Sequence, residues 1–328
     1  MKYYIKKLGK NELGSVGRDR AVHRGRFLLV SKRPQMLEFF PPLSETQKND
    51  FAPVALVPLY QNSSKRIYCN FVYHNDRFHG GTRNEYRLYS NKELEGGDRL
   101  FKPGDYLLMR KINEKELNPG FYVDLITSKD KTLYWFCKAA VEASPVNGGY
   151  ASWAGVIEPF ETKVNLLDGL DNAVSIDGKV LEAAKSASAG KIEDLFSNQA
   201  MFRDFLLVGY EGKCAITRTS IEYGDYFNVE AAHLRPKSQR GLYLPSNGIT
   251  LTRDLHWAFD KGFFTLTKDF RVQVHPKVDS EYLHSLESRE IFMPKDPFFK
   301  PNPENVKWHR EHVYGLFLKS GVIRGMKS

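Results

Sequence analysis

Cysteine is scarce in this chain. There are three in 328 residues, Cys69, Cys137 and Cys214, and no CxxC pair. That spacing excludes a disulfide framework and a four-cysteine zinc site. Each thiol lies in an apolar or strand-like stretch, so all three are expected to be reduced, buried side chains of a cytoplasmic protein. Long apolar runs are also missing. None approaches the roughly 18 residues of a membrane span. The N-terminus has no apolar h-region, so no secretory signal is expected. No internal repeat or low-complexity tract is present. Acidic residues are in deficit, with 39 Asp and Glu against 48 Lys and Arg, a net charge of +9.

The basic excess is uneven. Lys2, Lys6, Lys7, Lys10, Arg18, Arg20, Arg24, Arg26, Lys32 and Arg33 face only Glu12 and Asp19 near the start of the chain. Gly14, Gly17 and Gly25 are interspersed, so Arg18, Arg20, Arg24 and Arg26 read as a basic loop suited to a phosphate backbone. The bland reading is a solvated basic surface. Hydrophobic residues make up 41% and aromatics 13%, enough for packed cores. The length points to two domains.

From Phe27 to Val156 the chain carries short aromatic and β-branched segments. They include Phe27–Val30, Val54–Leu59, Arg66–Tyr73, Glu85–Tyr89, Tyr106–Arg110, Phe121–Ile126 and Leu133–Cys137, with turn signals between them. Many short strands predict a barrel. Residues 1–160 are assigned to this β domain, 161–191 to a linker with a small helix at Val180–Ser186, and 192–328 to a second domain. Leu195, Met201, Phe202, Phe205 and Leu206 fit one helix leading into Cys214. Phe270–His275 reads as a strand, Ser280–Glu287 as a weak helix and Glu304–Lys319 as a closing helix.

The most informative stretch runs from Cys214 to Thr267. An apolar strand, Phe227–Ala232, delivers His233. A basic loop holding Arg235, Lys237 and Arg240 follows, then an Asn-Gly turn at Asn247-Gly248. Asp254 stands where a helix N-cap is expected, ahead of Leu255, His256 and Phe259. The order predicts strand, loop, strand and short helix, with His233 and His256 facing each other. Asp260, four residues after His256, shares its helix face. Trp257 and Phe259 are expected in the core. The other histidines (His23, His74, His79, His275, His284, His309 and His312) are read as structural.

Four pieces of this stretch resemble the HNH nuclease family: Cys-Ala-Ile-Thr at Cys214, Ala-Ala-His-Leu-Arg-Pro at Ala231, Ser-Asn-Gly-Ile at Ser246, and Leu-His-Trp-Ala-Phe-Asp-Lys-Gly at Leu255. That family folds a β-hairpin and an α-helix around one metal ion. The resemblance implies a ββα-metal domain with His233, Asn247 and His256 as catalytic residues. His233 would be the general base, since a neutral imidazole takes a proton from water near neutral pH. His256 would be a metal ligand, with Asn247 and Asp260 as further candidates. Asn247 would hold either the His233 ring or the metal. Nitrogen and oxygen donors suit one divalent ion, Mg or Mn first, with Zn or Ni as alternatives. Many family members carry an acidic or His ligand just before the base, where this chain has Ala232; Glu230 is nearby. The chain also lacks the cysteine knuckle of some relatives, since Thr217 follows Cys214 where a second cysteine is needed. In the first half, Asn84–Tyr89 followed by Phe101–Tyr106 resembles the pseudobarrel DNA-binding fold of plant transcription factors and restriction-enzyme effector domains.

The expected fold is therefore α+β, a mainly-β pseudobarrel plus an HNH domain. The expected function is a metal-dependent restriction endonuclease acting on double-stranded DNA, sequence- or modification-specific. One site per chain implies a homodimer or sequential nicking for a double-strand break. Arg235, Lys237, Arg240 and Arg253 are candidate phosphate contacts. Two alternatives compete: a defence nuclease gated by a nucleotide messenger, and a DNA-binding protein with a decayed site.

Overall fold

The computed structural model describes residues 2–13, 26–96, 100–113, 120–146, 148–167, 173–223 and 226–319. The chain divides between Ser186 and Ala187 into two compact units.

The first unit is mainly β. Its strands are β1 (Lys2–Lys7), β2 (Phe27–Val30), β3 (Phe51–Pro58), β4 (Arg66–His74), β5 (Glu85–Tyr89), β6 (Tyr106–Lys111), β7 (Phe121–Ile126), β8 (Tyr150–Ala154) and β9 (Val174–Ile176). They join in one curled, half-barrel sheet of order β2-β5-β4-β3-β7-β6-β1-β8, with β9 added beside β4. Pairing is antiparallel except at β3–β7 and β4–β9. Strand β1 shows how the sheet divides its burial. Tyr4 enters a core with Phe40, Phe71 and Phe121, while its neighbours Tyr3 and Ile5 enter a second with Leu108, Ile126 and Phe160. Alternation along an extended chain sends successive side chains to opposite faces, and here both faces are covered. Two short helices, α1 (Lys10–Leu13) and α2 (Pro34–Leu37), lie between the early strands.

The sequence reading needs correction at three places in this unit. Leu133–Cys137, expected as a strand, lies in helix α3 (Lys131–Glu142). Asp130 caps it by accepting from the Leu133 backbone N–H at 3.0 Å. Only Leu133 and Cys137 are buried, four residues apart, and Trp135 between them is 58% exposed. That is helical spacing, which a short apolar run conceals. Secondly, the stretch expected as a linker carries elements of this unit: α4 (Glu158–Leu167), β9, and α5 (Gly178–Lys185) capped by Asp177. Glu161 of α4 is buried, accepting from the Tyr3 hydroxyl at 2.5 Å and pairing with Arg110 at 2.9 Å. Thirdly, the early basic residues are partly internal. Lys6 pairs with Glu12 at 3.0 Å, both almost fully buried. Arg26 pairs with Glu95 at 2.6 Å and donates to the carbonyls of Leu13 and Phe101. Arg18, Arg20 and Arg24 lie outside the described residues.

The second unit opens with α6 (Ala189–Leu195) and α7 (Gln199–Gly209), two helices where one was expected. Asn198 interrupts them and caps α7 by accepting from the Met201 N–H at 2.8 Å. A two-residue pair, β10 (Glu222–Tyr223) and β11 (Tyr226–Phe227), precedes the hairpin β12 (Val229–His233) and β13 (Gly248–Thr252). Then come α8 (Arg253–Asp260), β14 (Phe264–Leu266) paired with β15 (Val272–Val274), α9 (Glu281–His284) and α10 (Pro303–His312). Phe202, Leu206, Ile249, Leu251, Leu255 and Phe259 meet in one core. The closing helix is shorter than expected, because Gly315 turns the chain at φ 78°. His309 is a core residue: its ring stacks on Phe259 at 3.7 Å and its Nδ1 meets the Thr265 hydroxyl at 2.9 Å.

Candidate active site

Strand β12 runs antiparallel to β13 with His233 opposite Gly248. The glycine is needed for space. A Cβ there would come within 2.5 Å of Leu206 and of Phe202. With no side chain at 248, α7 lies close under the ribbon, and Phe202 stacks on the His233 ring at 4.0 Å and 19°. Tyr243 meets the same imidazole edge-on at 5.6 Å. The base candidate is thus held between two aromatic rings. Burial first, then the charge of His256, then that of Lys237, lower its pKa to about 4. Its Nε2 is buried and has no hydrogen-bond partner.

Asn247 does something other than expected. Its side chain holds neither the His233 ring nor an open coordination position. Its Oδ1 accepts from the Arg235 N–H at 3.0 Å, and its Nδ2 donates to the carbonyls of Arg235 at 2.9 Å and Leu242 at 2.8 Å. The residue is 2% exposed. All of this binding goes to main chain, so Asn247 closes the basic loop behind His233.

Helix α8 begins at Thr252, whose extended backbone occupies the N-cap position; Asp254 lies in the first turn instead, where a carboxylate favours the helix dipole. Leu255, Ala258 and Phe259 are buried, whereas Trp257 is 58% exposed and not a core residue. His256 lies between two carboxylates. Its Nδ1 is 2.8 Å from Glu230 Oε2, and its Nε2 is 3.5 Å from Asp260 Oδ2. Arg253 reaches the other Glu230 oxygen at 3.0 Å. Burial holds the Asp260 carboxyl above its ordinary pKa, against the opposing pull of His256 and Lys261.

Glu230 is therefore the residue that sequence reasoning left unresolved. Ala232, directly before His233, is wholly buried and carries no donor. Glu230 is the carboxylate that β12 brings to α8. Among the described residues no three His, Cys, Asp or Glu side chains are placed to hold a metal ion together. The two carboxylates stand at different ring nitrogens of His256, so a divalent cation at Nε2 would be held by His256 and Asp260, with Glu230 fixing the ring from Nδ1 and water or phosphate oxygen completing the shell.

The remaining candidates border the loop. Lys237 and Arg240 are exposed, Lys237 with its ammonium 4.9 Å from the Tyr243 ring. Arg235 is half-buried, donating from Nε to the Gln239 carbonyl at 2.7 Å. At the start of the stretch, Cys214 is buried and free. Its carbonyl accepts from Arg218 N–H and its N–H donates to the Thr219 carbonyl, so hydrogen bonds alone close the turn.

Residues 214–267 match the model of the HNH endonuclease family. The matched segment, an HNH endonuclease domain, lies within the second unit. A comparison with curated proteins gives no match. Similar solved structures include a modification-dependent TagI restriction endonuclease, at 20% identity and TM-score 0.30, over 35% of this chain and 38% of that one. Another is the N-terminal domain of Helicobacter pylori LlaJI.R1, at 16% identity and TM-score 0.30, over 48% of this chain and 100% of that one. A third is the B3 domain of the UbaLAI restriction endonuclease with cognate DNA, at 19% identity and TM-score 0.28, over 46% and 85%. The chain thus spans well under half of the TagI chain. No helix among the described residues is long and apolar enough to cross a membrane.

Proposed function

We propose that this protein is a metal-dependent endonuclease of the restriction type, hydrolysing phosphodiester bonds of double-stranded DNA. The carrying observation is His256 set between Glu230 and Asp260 on the helix, with His233 on the ribbon near enough for the charge of His256 to lower its pKa. In this reading His233 accepts the proton of the water that attacks phosphorus. Its ring is uncharged at neutral pH, since burial and the charges of His256 and Lys237 lower its pKa to about 4; a lone pair is free for that proton, although the same shift makes the ring a weaker base than a free imidazole. Phe202 and Tyr243 fix its plane, and Asn247 fixes the loop behind it. His256 and Asp260 would hold the divalent cation, Mg or Mn first, with Glu230 fixing the His256 ring from Nδ1; when bound, that ion supplies charge neutralisation at the phosphate and at the leaving oxygen. Lys237, Arg240 and Arg235 border the path of the DNA backbone, with Arg253 beside Glu230.

The N-terminal half-barrel is the proposed DNA reader, and a homodimer would supply the second cut. Digestion of methylated and unmethylated phage DNA, with sequencing of the ends, tests the whole reading. Discrete fragments with Mg or Mn, lost in EDTA and in His233→Ala, are the expected result. Activity equal in His233→Ala would remove the catalytic assignment. Smearing that begins only on adding a nucleotide messenger would replace restriction by a gated nuclease.

A further inference from the structure

Helix α8 divides its residues between two faces. Leu255, Ala258 and Phe259 enter the core, while Arg253, His256, Trp257 and Asp260 recur at three- and four-residue steps on the opposite face. Trp257 is the odd member of that polar row. Its indole is 58% exposed although it is the largest apolar side chain of the helix. One side rests on Phe263, with ring centroids 5.2 Å apart at 36°. Phe263 in turn stacks on Phe317 at 4.6 Å and 17°. Phe317 is met edge-on by His275 at 5.2 Å. The ladder fixes the indole from behind and leaves its remaining surface to solvent. Arg253 precedes it by one turn and the exposed Lys261 follows it by one turn.

Trp257 is also the direct neighbour of His256. A strand whose phosphate meets His256 comes beside Trp257, the next residue on the same exposed side of α8. Resting on the nuclease reading above, we propose that Trp257 is a strand-positioning contact. It wedges against the base step beside the scissile phosphate, opening it in part, while Lys261 meets a neighbouring phosphate. An aromatic shelf flanked by cations suits a duplex deformed in this way, because an opened step offers a π face and every nucleotide a charge. Such a contact is tolerant of sequence, so it sets position and leaves base reading to other residues. The competing occupant is a second protein copy on the apolar rim that Leu316 and Leu318, 39% and 47% exposed, extend. The flanking cations and the adjacency to His256 favour the nucleic acid.

The test compares wild type, Trp257→Phe and Trp257→Ala in full-length protein. Plasmid cleavage is measured with Mn, and binding of a short duplex is followed in EDTA by intrinsic fluorescence. Trp257→Ala is expected to lower kcat/KM by about 10- to 100-fold, the range of one lost base stack. Trp257→Phe keeps a ring and most of the activity, but loses most of the fluorescence quench that DNA produces in wild type. Equal cleavage and binding by Trp257→Ala would overturn the proposal, as would an undiminished quench in Trp257→Phe. So would conversion of a dimer to a monomer by Trp257→Ala in light scattering, with cleavage restored at high protein concentration, because the indole would then serve a protein interface. Wild type that neither binds nor cuts DNA would instead sink the nuclease reading itself, and this contact with it.

Discussion

At the scale of single residues, the site depends on which carboxylate stands beside His256. The position before His233 carries Ala232, which offers no ligand, and Glu230 reaches His256 from three residues upstream. Glu230→Gln is expected to weaken Mn binding by about 10- to 100-fold, as loss of a group on a ligating histidine does elsewhere. Calorimetric titration with Mn reads this without any turnover. In the same measurement His233→Ala should bind Mn as wild type does, while its cleavage falls by about 100- to 10,000-fold. The histidines, the asparagine and their order were legible in the sequence because residue type and spacing carry that information. Glu230 was visible only as a nearby acid. Whether a ribbon side chain turns toward the helix depends on how β12 packs on α8, which no short motif encodes. Asn247 was legible as a turn residue, but its three bonds to main chain follow from the path of a loop.

At the scale of elements, two features make the second unit sensitive to small changes. Gly248 lies where any Cβ meets Phe202 and Leu206 at 2.5 Å. Gly248→Ala should therefore destabilise by about 1–3 kcal/mol through overpacking, read as a lower urea midpoint at unchanged slope. The second feature is α10, which buries His309 beneath Phe259 and against Thr265. Burial pushes its pKa down to about 3. The unfolded chain then binds the proton more readily than the folded one. Stability from this group is complete above the ordinary histidine pKa of about 6.5 and is lost as pH falls toward 3. His233, lowered to about 4, acts in the same direction. Urea midpoints should drop between pH 7 and pH 5, and His309→Gln should shrink that drop. The elements themselves were unevenly legible. The ribbon and α8 were readable because the turn residues and most apolar positions agree, although the cap is Thr252 and not Asp254, and Trp257 is exposed. Helix α3 was misread as a strand, since Leu133–Cys137 is apolar at every position and the burial of Leu133 and Cys137 alone appears only in the fold.

At the scale of the whole molecule, the two units carry separate cores, and the β-rich half was legible from its many short segments. Its closing elements were not. Strand β9 has three residues and is held by parallel pairing to β4, so local sequence gives it little signal. The net charge of +9 agrees with the proposed polyanionic partner, but its allocation was misjudged. Lys6 and Arg26 are tied to Glu12 and Glu95, and cannot be counted as free surface charge. For DNA binding this sets a measurable limit. The slope of log affinity against log salt, about 0.9 per phosphate contact, should fall on Lys237→Ala and Arg240→Ala and stay unchanged on Arg26→Ala, provided the last variant folds. Filter binding across a salt series in EDTA checks it.

The bonds of Asn247 to Arg235 and Leu242 have one more consequence. They lace the two ends of the Arg235–Leu242 segment into a ring directly behind His233, so evolution can swap the outward side chains of that segment freely but cannot easily lengthen or shorten it. Under the proposed function, new DNA contacts from this loop would have to arise by exchanging letters within a fixed frame, not by growing a longer arm.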